Sequence, residues 1–130
     1  MAYASTRKTF PGVQSGRYNI EGVDLSVNVK VTGTQATPTD CEDVDLVTFA
    51  VNLRVVTGGT SPTLAFKAQT SPDGALWFEA GNIGGTLTAP GTVMGSLTGL
   101  MRYNRIAWTI AGTVTPTTAT ADLYITAKRR

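Results

Sequence analysis

The sequence predicts an all-β protein: an antiparallel β-sandwich of seven or eight strands with an extended N-terminal arm, although the turn spacing is also that of a barrel. Apolar and polar residues alternate with period two along most segments after residue 22, as in half-buried strands. Turns rich in glycine, threonine and proline separate the segments, and none carries a long helix signal. A chain of 130 residues can bury one core, so we expect an arm at 1–22 and a sandwich domain at 23–130.

The first 22 residues differ in character from the rest of the chain. Pro11 and three glycines disfavour regular structure, while Tyr3, Phe10 and Tyr18 supply spaced aromatic side chains. A disordered tail seldom holds three aromatic residues, so this arm is predicted to order along its own domain or along a neighbouring subunit. The alternative for the first ten residues is a frayed terminus.

The first two strands are predicted from strict alternation. Between residues 23 and 31 the odd-numbered residues are apolar and are expected to face the core: Val23, Leu25, Val27, Val29 and Val31. After a polar loop the same pattern returns, with a second inward set of Val47, Phe49, Val51, Leu53 and Val55.

Two hairpins are predicted in the second half. The first spans 63–80, where an alternating strand meets a Ser-Pro-Asp-Gly turn and an apolar run begins at Leu76. The pattern weakens at 81–99, where one or two short strands are expected around Leu87 and Val93. The second hairpin has a strand at 100–111, a turn through 112–118 and a last strand at 122–128. Its inward residues are Ile106, Trp108, Ile110, Leu123, Ile125 and Ala127.

Candidate catalytic residues are few. The chain has no histidine, which removes the Ser-His-Asp arrangement and the commonest acid–base side chain. The single cysteine, Cys41, cannot form an internal disulfide and lacks a histidine partner, so we expect a small hydrophobic or loop residue there. A serine–lysine pair would need Lys30 or Lys67, and both lie at outward strand positions. We therefore expect no enzymatic activity, no cofactor and no bound metal.

The acidic residues cluster in one loop, at Asp40, Glu42, Asp43 and Asp45. Four carboxylates in a single loop are poorly placed to flank a scissile bond. Their oxygens could bind calcium, although their spacing is not that of an EF-hand loop. We favour an acidic patch that faces solvent or another subunit, with a cation site as the alternative.

The basic residues lie near the two chain ends, although the net charge is only +2. No basic stripe is interleaved with aromatic residues, which disfavours a nucleic-acid partner. No segment approaches the roughly 20 apolar residues of a membrane span, and no signal peptide is recognisable, so we expect a chain folded in the cytoplasm. The predicted partner contacts combine the arm, the acidic loop and the basic tail: Tyr3, Arg7, Lys8, Phe10, Arg17, Asp40, Glu42, Asp43, Lys128, Arg129 and Arg130.

Four aromatic residues raise a carbohydrate-binding alternative: Trp77, Tyr103, Trp108 and Tyr124. Sandwich proteins that bind sugars stack the sugar rings on exposed tryptophan and tyrosine side chains. Trp108, however, shares its face with two inward isoleucines. Packing in the core or at a subunit contact is therefore the favoured interpretation.

Two segments of the second half resemble structural proteins of tailed bacteriophages. SPDGALWFEAG (71–81) and MRYNRIAWTIAGTVTPTTATADLYITAK (101–128) are similar to a pattern of three parts. In that pattern an S-x-D-G-x-x-W turn and strand precedes an R-Y-x-R-x-x-W strand and a threonine-rich final hairpin. Small capsid-decoration, or cement, proteins with a jelly-roll fold share it, as do some tail proteins.

The resemblance implies a jelly-roll-like virion component, assembled in the cytoplasm of a host bacterium. It implies a homo-oligomer, with a trimer favoured, that binds the major capsid protein or other virion subunits and stabilises the phage head. The arm and the basic tail would then contact the capsid or a sister subunit. A tail or head–tail connector subunit is one alternative, and a carbohydrate-binding module is another.

Overall fold

A computed structural model of the chain describes residues 18–41, 44–112 and 114–129, with the backbone alone at 18–23, 44–45 and 128–129. These residues form strands and connections and no helix. The strands are β1 (Tyr18–Asn28), β2 (Gly33–Thr34), β3 (Thr39–Asp40), β4 (Val44–Thr57), β5 (Thr63–Ser71), β6 (Phe78–Asn82), β7 (Gly91–Thr98), β8 (Tyr103–Ala111) and β9 (Thr118–Arg129).

The strands form two antiparallel sheets, which confirms the predicted all-β sandwich. The four-stranded sheet has the order β1-β9-β4-β7. The five-stranded sheet has the order β2-β8-β5-β6, and β3 also pairs with β8. Apolar side chains of both sheets meet between them in one core.

One predicted hairpin is confirmed and the other is wrong. β5 and β6 pair antiparallel, as expected for 63–80. β8 and β9 do not pair: β8 lies beside β5, and β9 lies between β1 and β4 in the other sheet. The connection at 112–117 therefore crosses from one sheet to the other. Alternation along a strand shows which face is buried but not which sheet the strand joins.

The core follows the predicted alternation in most strands. Most of its buried side chains come from β4, β5, β8 and β9, among them Val47, Phe49, Val51, Leu53, Leu64, Phe66, Ala68, Ile106, Trp108, Leu123, Ile125 and Ala127. Full burial of one large aliphatic or aromatic side chain stabilises a fold by about 1.5–3 kcal/mol. Trp108 also satisfies its polar atom, because Nε1 donates a hydrogen bond of 2.8 Å to the carbonyl of Val31.

β1 departs from the predicted alternation. It begins at Tyr18 rather than at residue 23, and its pairing with β9 shifts register twice between Glu21 and Val27. At the second shift Ser26 has a φ of 56° and donates its N–H to the Asp122 carboxylate at 2.9 Å. Leu25 is consequently 61% exposed, so the prediction that it faces the core is wrong.

Two further residues predicted to face the core are exposed. Val31 lies beyond the end of β1 and is 65% exposed. In β4 a register shift falls between Leu53 and Val55, and Val55 is 37% exposed. Val56 packs against the core. A bulge of this kind moves every following side chain to the opposite face.

Candidate functional site

Both ends of the described chain lie at one end of the sandwich, which we call the termini end. Tyr18 pairs there with Lys128, and Val44 pairs with Arg129. The same end holds the β3–β4 connection after Cys41, the β5–β6 connection at 72–77 and the β7–β8 connection at 99–102. The opposite end, the far end, holds the connections at 29–32, 58–62, 83–90 and 112–117.

Three segments identified in the sequence join the sandwich at the termini end: the arm, the acidic loop and the basic tail. The arm leads into β1 at Tyr18, the acidic loop begins at Asp40, and the basic tail starts within the last residues of β9. Lys128 and Arg129 belong to β9 by their backbone. The remaining predicted contacts other than Asp40 lie outside the described residues: Tyr3, Arg7, Lys8, Phe10, Arg17, Glu42, Asp43 and Arg130.

Asp40 lies inside the protein, with 1% of its surface exposed. Its two carboxylate oxygens accept hydrogen bonds from Arg102, from Nε at 3.0 Å and from Nη2 at 2.9 Å. The backbone reinforces this pair, because the Cys41 N–H donates to the carbonyl of Arg102 at 2.6 Å. A two-point arginine–carboxylate pair fixes geometry as well as charge. It therefore ties the start of the acidic loop to the β7–β8 connection.

Cys41 itself is 5% exposed and belongs to the hydrophobic core, as predicted for a small hydrophobic residue.

The turn at 71–76 is held by its own polar side chains. Asp73 Oδ1 accepts the N–H groups of Ala75 at 2.8 Å and Leu76 at 3.0 Å. Ser71 Oγ accepts the N–H of Gly74 at 2.8 Å. Hydrogen bonds from Leu76 and then Ala75 hold the pKa of the Asp73 carboxyl below its ordinary value. The turn thus has a defined shape in which Leu76 is 58% exposed.

Trp77 follows this turn and lies against a row of polar side chains on the outer face of the five-stranded sheet. The guanidinium carbon of Arg105 is 4.0 Å from the centre of the indole ring. Arg105 Nε donates to Gln69 at 2.8 Å, and Gln69 Nε2 donates to Glu79 at 2.7 Å. Glu79 also pairs with Lys67 at 2.9 Å. The contacts hold Trp77 half-buried at a fixed place near the termini end.

Two side chains of this row have shifted pKa values. The hydrogen bonds from Lys67 and then Gln69 hold the pKa of the Glu79 carboxyl below its ordinary value. Burial lowers the pKa of Arg105, because desolvation disfavours the charged guanidinium. The row is a network of paired side chains rather than a set of open catalytic groups.

Three exposed apolar side chains lie at the termini end, and we call them the apolar rim: Leu76, Phe78 and Met101. Their exposed fractions are 58%, 44% and 42%. Phe78 and Met101 lie on either side of Thr70, which is opposite Phe78 in the β5–β6 register and accepts the Met101 N–H on Oγ1 at 2.8 Å. Exposed apolar side chains beside a polar rim are a common feature of protein-binding surfaces.

Sequence reasoning did not name the apolar rim or Arg102 as part of the site. The Ser-Pro-Asp-Gly turn at 71–74 is visible in the sequence, and Leu76 begins the apolar run two residues after it. Arg102 gave no signal, because its partner Asp40 lies 62 positions earlier in the sequence. The structure alone brings the two residues together.

The described residues were compared with two arrangements that catalytic sites use, a metal cluster and a pocket with titratable side chains. They contain no group of three or more cysteine, aspartate or glutamate side chains that could hold a metal ion. A surface depression of about 520 Å³ beside β1 has, among its described lining, Asp24 as its one titratable side chain.

Within the described ranges, no helix is long and apolar enough to cross a membrane. Comparison with protein-family models found none that matches this chain, and comparison with curated proteins found no significant match.

Proposed function

We propose that the chain is a non-enzymatic virion structural protein: a capsid decoration or cement subunit that binds and stabilises a bacteriophage head as a homo-oligomer. The carrying observation is that the termini end joins the arm, the acidic loop, the basic tail and the apolar rim to one end of the sandwich. A shell surface that meets this end can contact all four at once.

The packing of the sandwich gives the termini end a rigid shape, which suits a subunit that binds a shell surface. Its core is closed between two sheets, and the β3–β4 and β7–β8 connections at the termini end are tied by the Asp40–Arg102 pair. A rigid binding end loses little conformational freedom when it binds, so more of its contact energy remains as affinity. The sequence adds charges of both signs at this end, with basic residues in the arm and the tail and acidic residues in the loop.

The experiment measures occupancy of purified heads of the encoding phage, prepared without the protein and then mixed with it. The test variant carries Leu76→Ser and Met101→Ser in the apolar rim. The matched control carries Val114→Ser and Val31→Ser, two side chains of the far end that are 52% and 65% exposed. Both double variants should fold, because exposed substitutions usually change stability by less than about 0.5 kcal/mol each.

The proposal predicts that wild type and control fill the heads equally, while the rim variant needs at least a tenfold higher concentration. A truncation that removes residues 1–17 should also reduce occupancy. It stops before Tyr18, because β1 begins there and pairs with β9. Wild-type protein that does not bind the heads, or a control that binds as poorly as the rim variant, overturns the proposal.

A carbohydrate-binding module is the second candidate, and Trp77 is the observation that favours it. Its indole is half-buried rather than enclosed, and Arg105 fixes its position. Sugar rings stack on such fixed aromatic surfaces. Quenching of tryptophan fluorescence by polysaccharides, lost in Trp77→Ala, would support this candidate; unchanged fluorescence across a polysaccharide panel would remove it.

A further inference from the structure

Most sheet edges of this protein carry the protection that edge strands usually have. Unpaired backbone groups at an edge invite another strand, and proteins block this with short strands, bulges or charges. β1 has two register shifts, and β2 has two residues. β6 has five residues and a register shift, with Glu79 paired to Lys67 beside it.

β7 is an edge strand without these features. Its eight residues pair with β4 in unbroken register, from Gly91 opposite Leu53 to Thr98 opposite Leu46. Its sequence, GTVMGSLT, contains no charged residue and no proline. Within the described ranges β4 is its one pairing partner. The Asn82–Gly84 segment packs under it near Gly95 without joining it as a strand.

The outer side chains of β7 add an exposed apolar contact to this edge. Met94 is 67% exposed, the largest value among the exposed large apolar side chains of the described residues. Ala50 lies opposite Met94 in β4, and Tyr124 lies opposite Ala50 in β9. The sheet therefore presents a regular, uncharged edge with a methionine at its middle.

We propose that β7 pairs antiparallel with β7 of a second copy, so that two four-stranded sheets become one continuous sheet across a two-fold axis. With Gly95 on the axis, Val93 lies opposite Leu97 of the second copy and Thr92 lies opposite Thr98. No like charges meet, and the apolar pair faces the core side in both copies. Full overlap of the strands gives about eight hydrogen bonds between the copies.

β7 carries no charge and can pair antiparallel with an identical strand. We therefore infer that the partner at this edge is a second copy of the chain. The β7 contact would join the subunits of the homo-oligomer named in the proposed function. The contact itself does not depend on binding to a phage head. A contact with two-fold symmetry uses the same surface of both copies, so it forms a dimer and leaves no matching surface for a third copy. The resemblance to decoration proteins favours three copies, so the measured mass separates the two expectations.

The test is the mass of the isolated full-length protein, measured by sedimentation over a wide concentration range. Wild type should form dimers as its concentration rises. Met94→Lys and Met94→Glu should each remain monomeric, because the like charges of the two copies then lie diagonal to each other, with their Cβ atoms within roughly 8 Å. An equimolar mixture of the two variants should recover the dimer, since the charges then attract.

The matched control is Leu25→Lys on β1, the opposite edge of the same sheet, where the replaced side chain is 61% exposed. It should keep the wild-type mass. Hydrogen exchange gives a second readout, because alternate β7 amides should exchange at least tenfold more slowly in the wild-type dimer than in Met94→Lys. Thermal melts of each variant confirm that it folds.

Three results overturn the β7 contact: a wild-type monomer at all concentrations, an oligomer whose mass neither Met94 variant changes, or a mixture that stays monomeric. In the second case, loss of the oligomer on removal of residues 1–17 identifies the arm as the contact instead. Because these measurements use no phage heads, their failure is distinct from failure of the proposed head binding.

Discussion

Two connections contact each other at the far end, and three glycine substitutions test this contact. The connection at 58–62 lies against the connection at 112–117, and the Thr60 N–H donates to the Val114 carbonyl at 3.2 Å. Gly59 lies at this contact with a φ of +74°. A Cβ atom there would be 2.7 Å from the Val114 carbonyl oxygen and 2.9 Å from the Pro116 nitrogen.

The expected destabilisation of Gly59→Ala follows from these distances. The left-handed backbone costs an alanine about 1–2 kcal/mol. Contacts below 3.0 Å with backbone atoms must be relieved by moving one of the connections, which adds about 1–3 kcal/mol. The free energy of unfolding should therefore fall by about 2–5 kcal/mol.

Two other glycines provide matched controls. Gly99 has a φ of +70° but nothing within 4 Å of its Cβ position, so Gly99→Ala should cost only the backbone part, about 1–2 kcal/mol. Gly85 has open space and no left-handed φ, so Gly85→Ala should be neutral or stabilise by up to about 1 kcal/mol.

Urea unfolding followed by tryptophan fluorescence measures all three variants, since Trp108 is buried in the core. If Gly59→Ala is no less stable than Gly99→Ala, the two connections do not touch. The crossing of the chain from β8 in one sheet to β9 in the other would then be in doubt.

Three further predictions concern packing, reactivity and pH. Leu53→Ala should lower the free energy of unfolding by about 2–5 kcal/mol in urea titrations, whereas Val55→Ala beyond the bulge should lower it by less than about 1 kcal/mol; equal losses would contradict the bulge. Cys41 should react with a thiol reagent at least a hundredfold more slowly in the native protein than in urea, and a fast native reaction would contradict its burial. The pKa of Asp73 is lower in the folded protein than in the unfolded chain. The Asp73 carboxylate therefore stabilises the fold fully at pH values above the unfolded-state pKa, and this stabilisation is lost as the pH falls through the folded-state pKa. Asp73→Asn should therefore flatten the acid limb of the stability curve, and an NMR titration of Asp73 with an ordinary midpoint would contradict the turn geometry.

Much of the sandwich could be predicted from alternation alone. The inward residues of β4 up to Leu53, and those of β5 and β9, follow from period two, because each strand has one face on the core and one on solvent. Even the weak pattern at 81–99 indicated a strand around Val93, where β7 lies. These predictions succeed because they depend on residues that are neighbours in the sequence.

The features that could not be predicted depend on distant partners. Ser26 keeps its left-handed φ beside Asp122, 96 positions away, so the β1 bulge has no local signal. Asp40 is buried because Arg102 reaches it from another connection. The 112–118 segment has turn residues that suit a hairpin as well as a crossing between sheets, and packing decides between them.

The most direct test of the proposed function is an image reconstruction of phage heads to which the purified protein has been added. If the proposed function is right, ordered density lies at regular shell positions, with the termini end of each sandwich against the shell and the far end toward solvent. Heads that bind no protein, or copies attached through the far end, would contradict it.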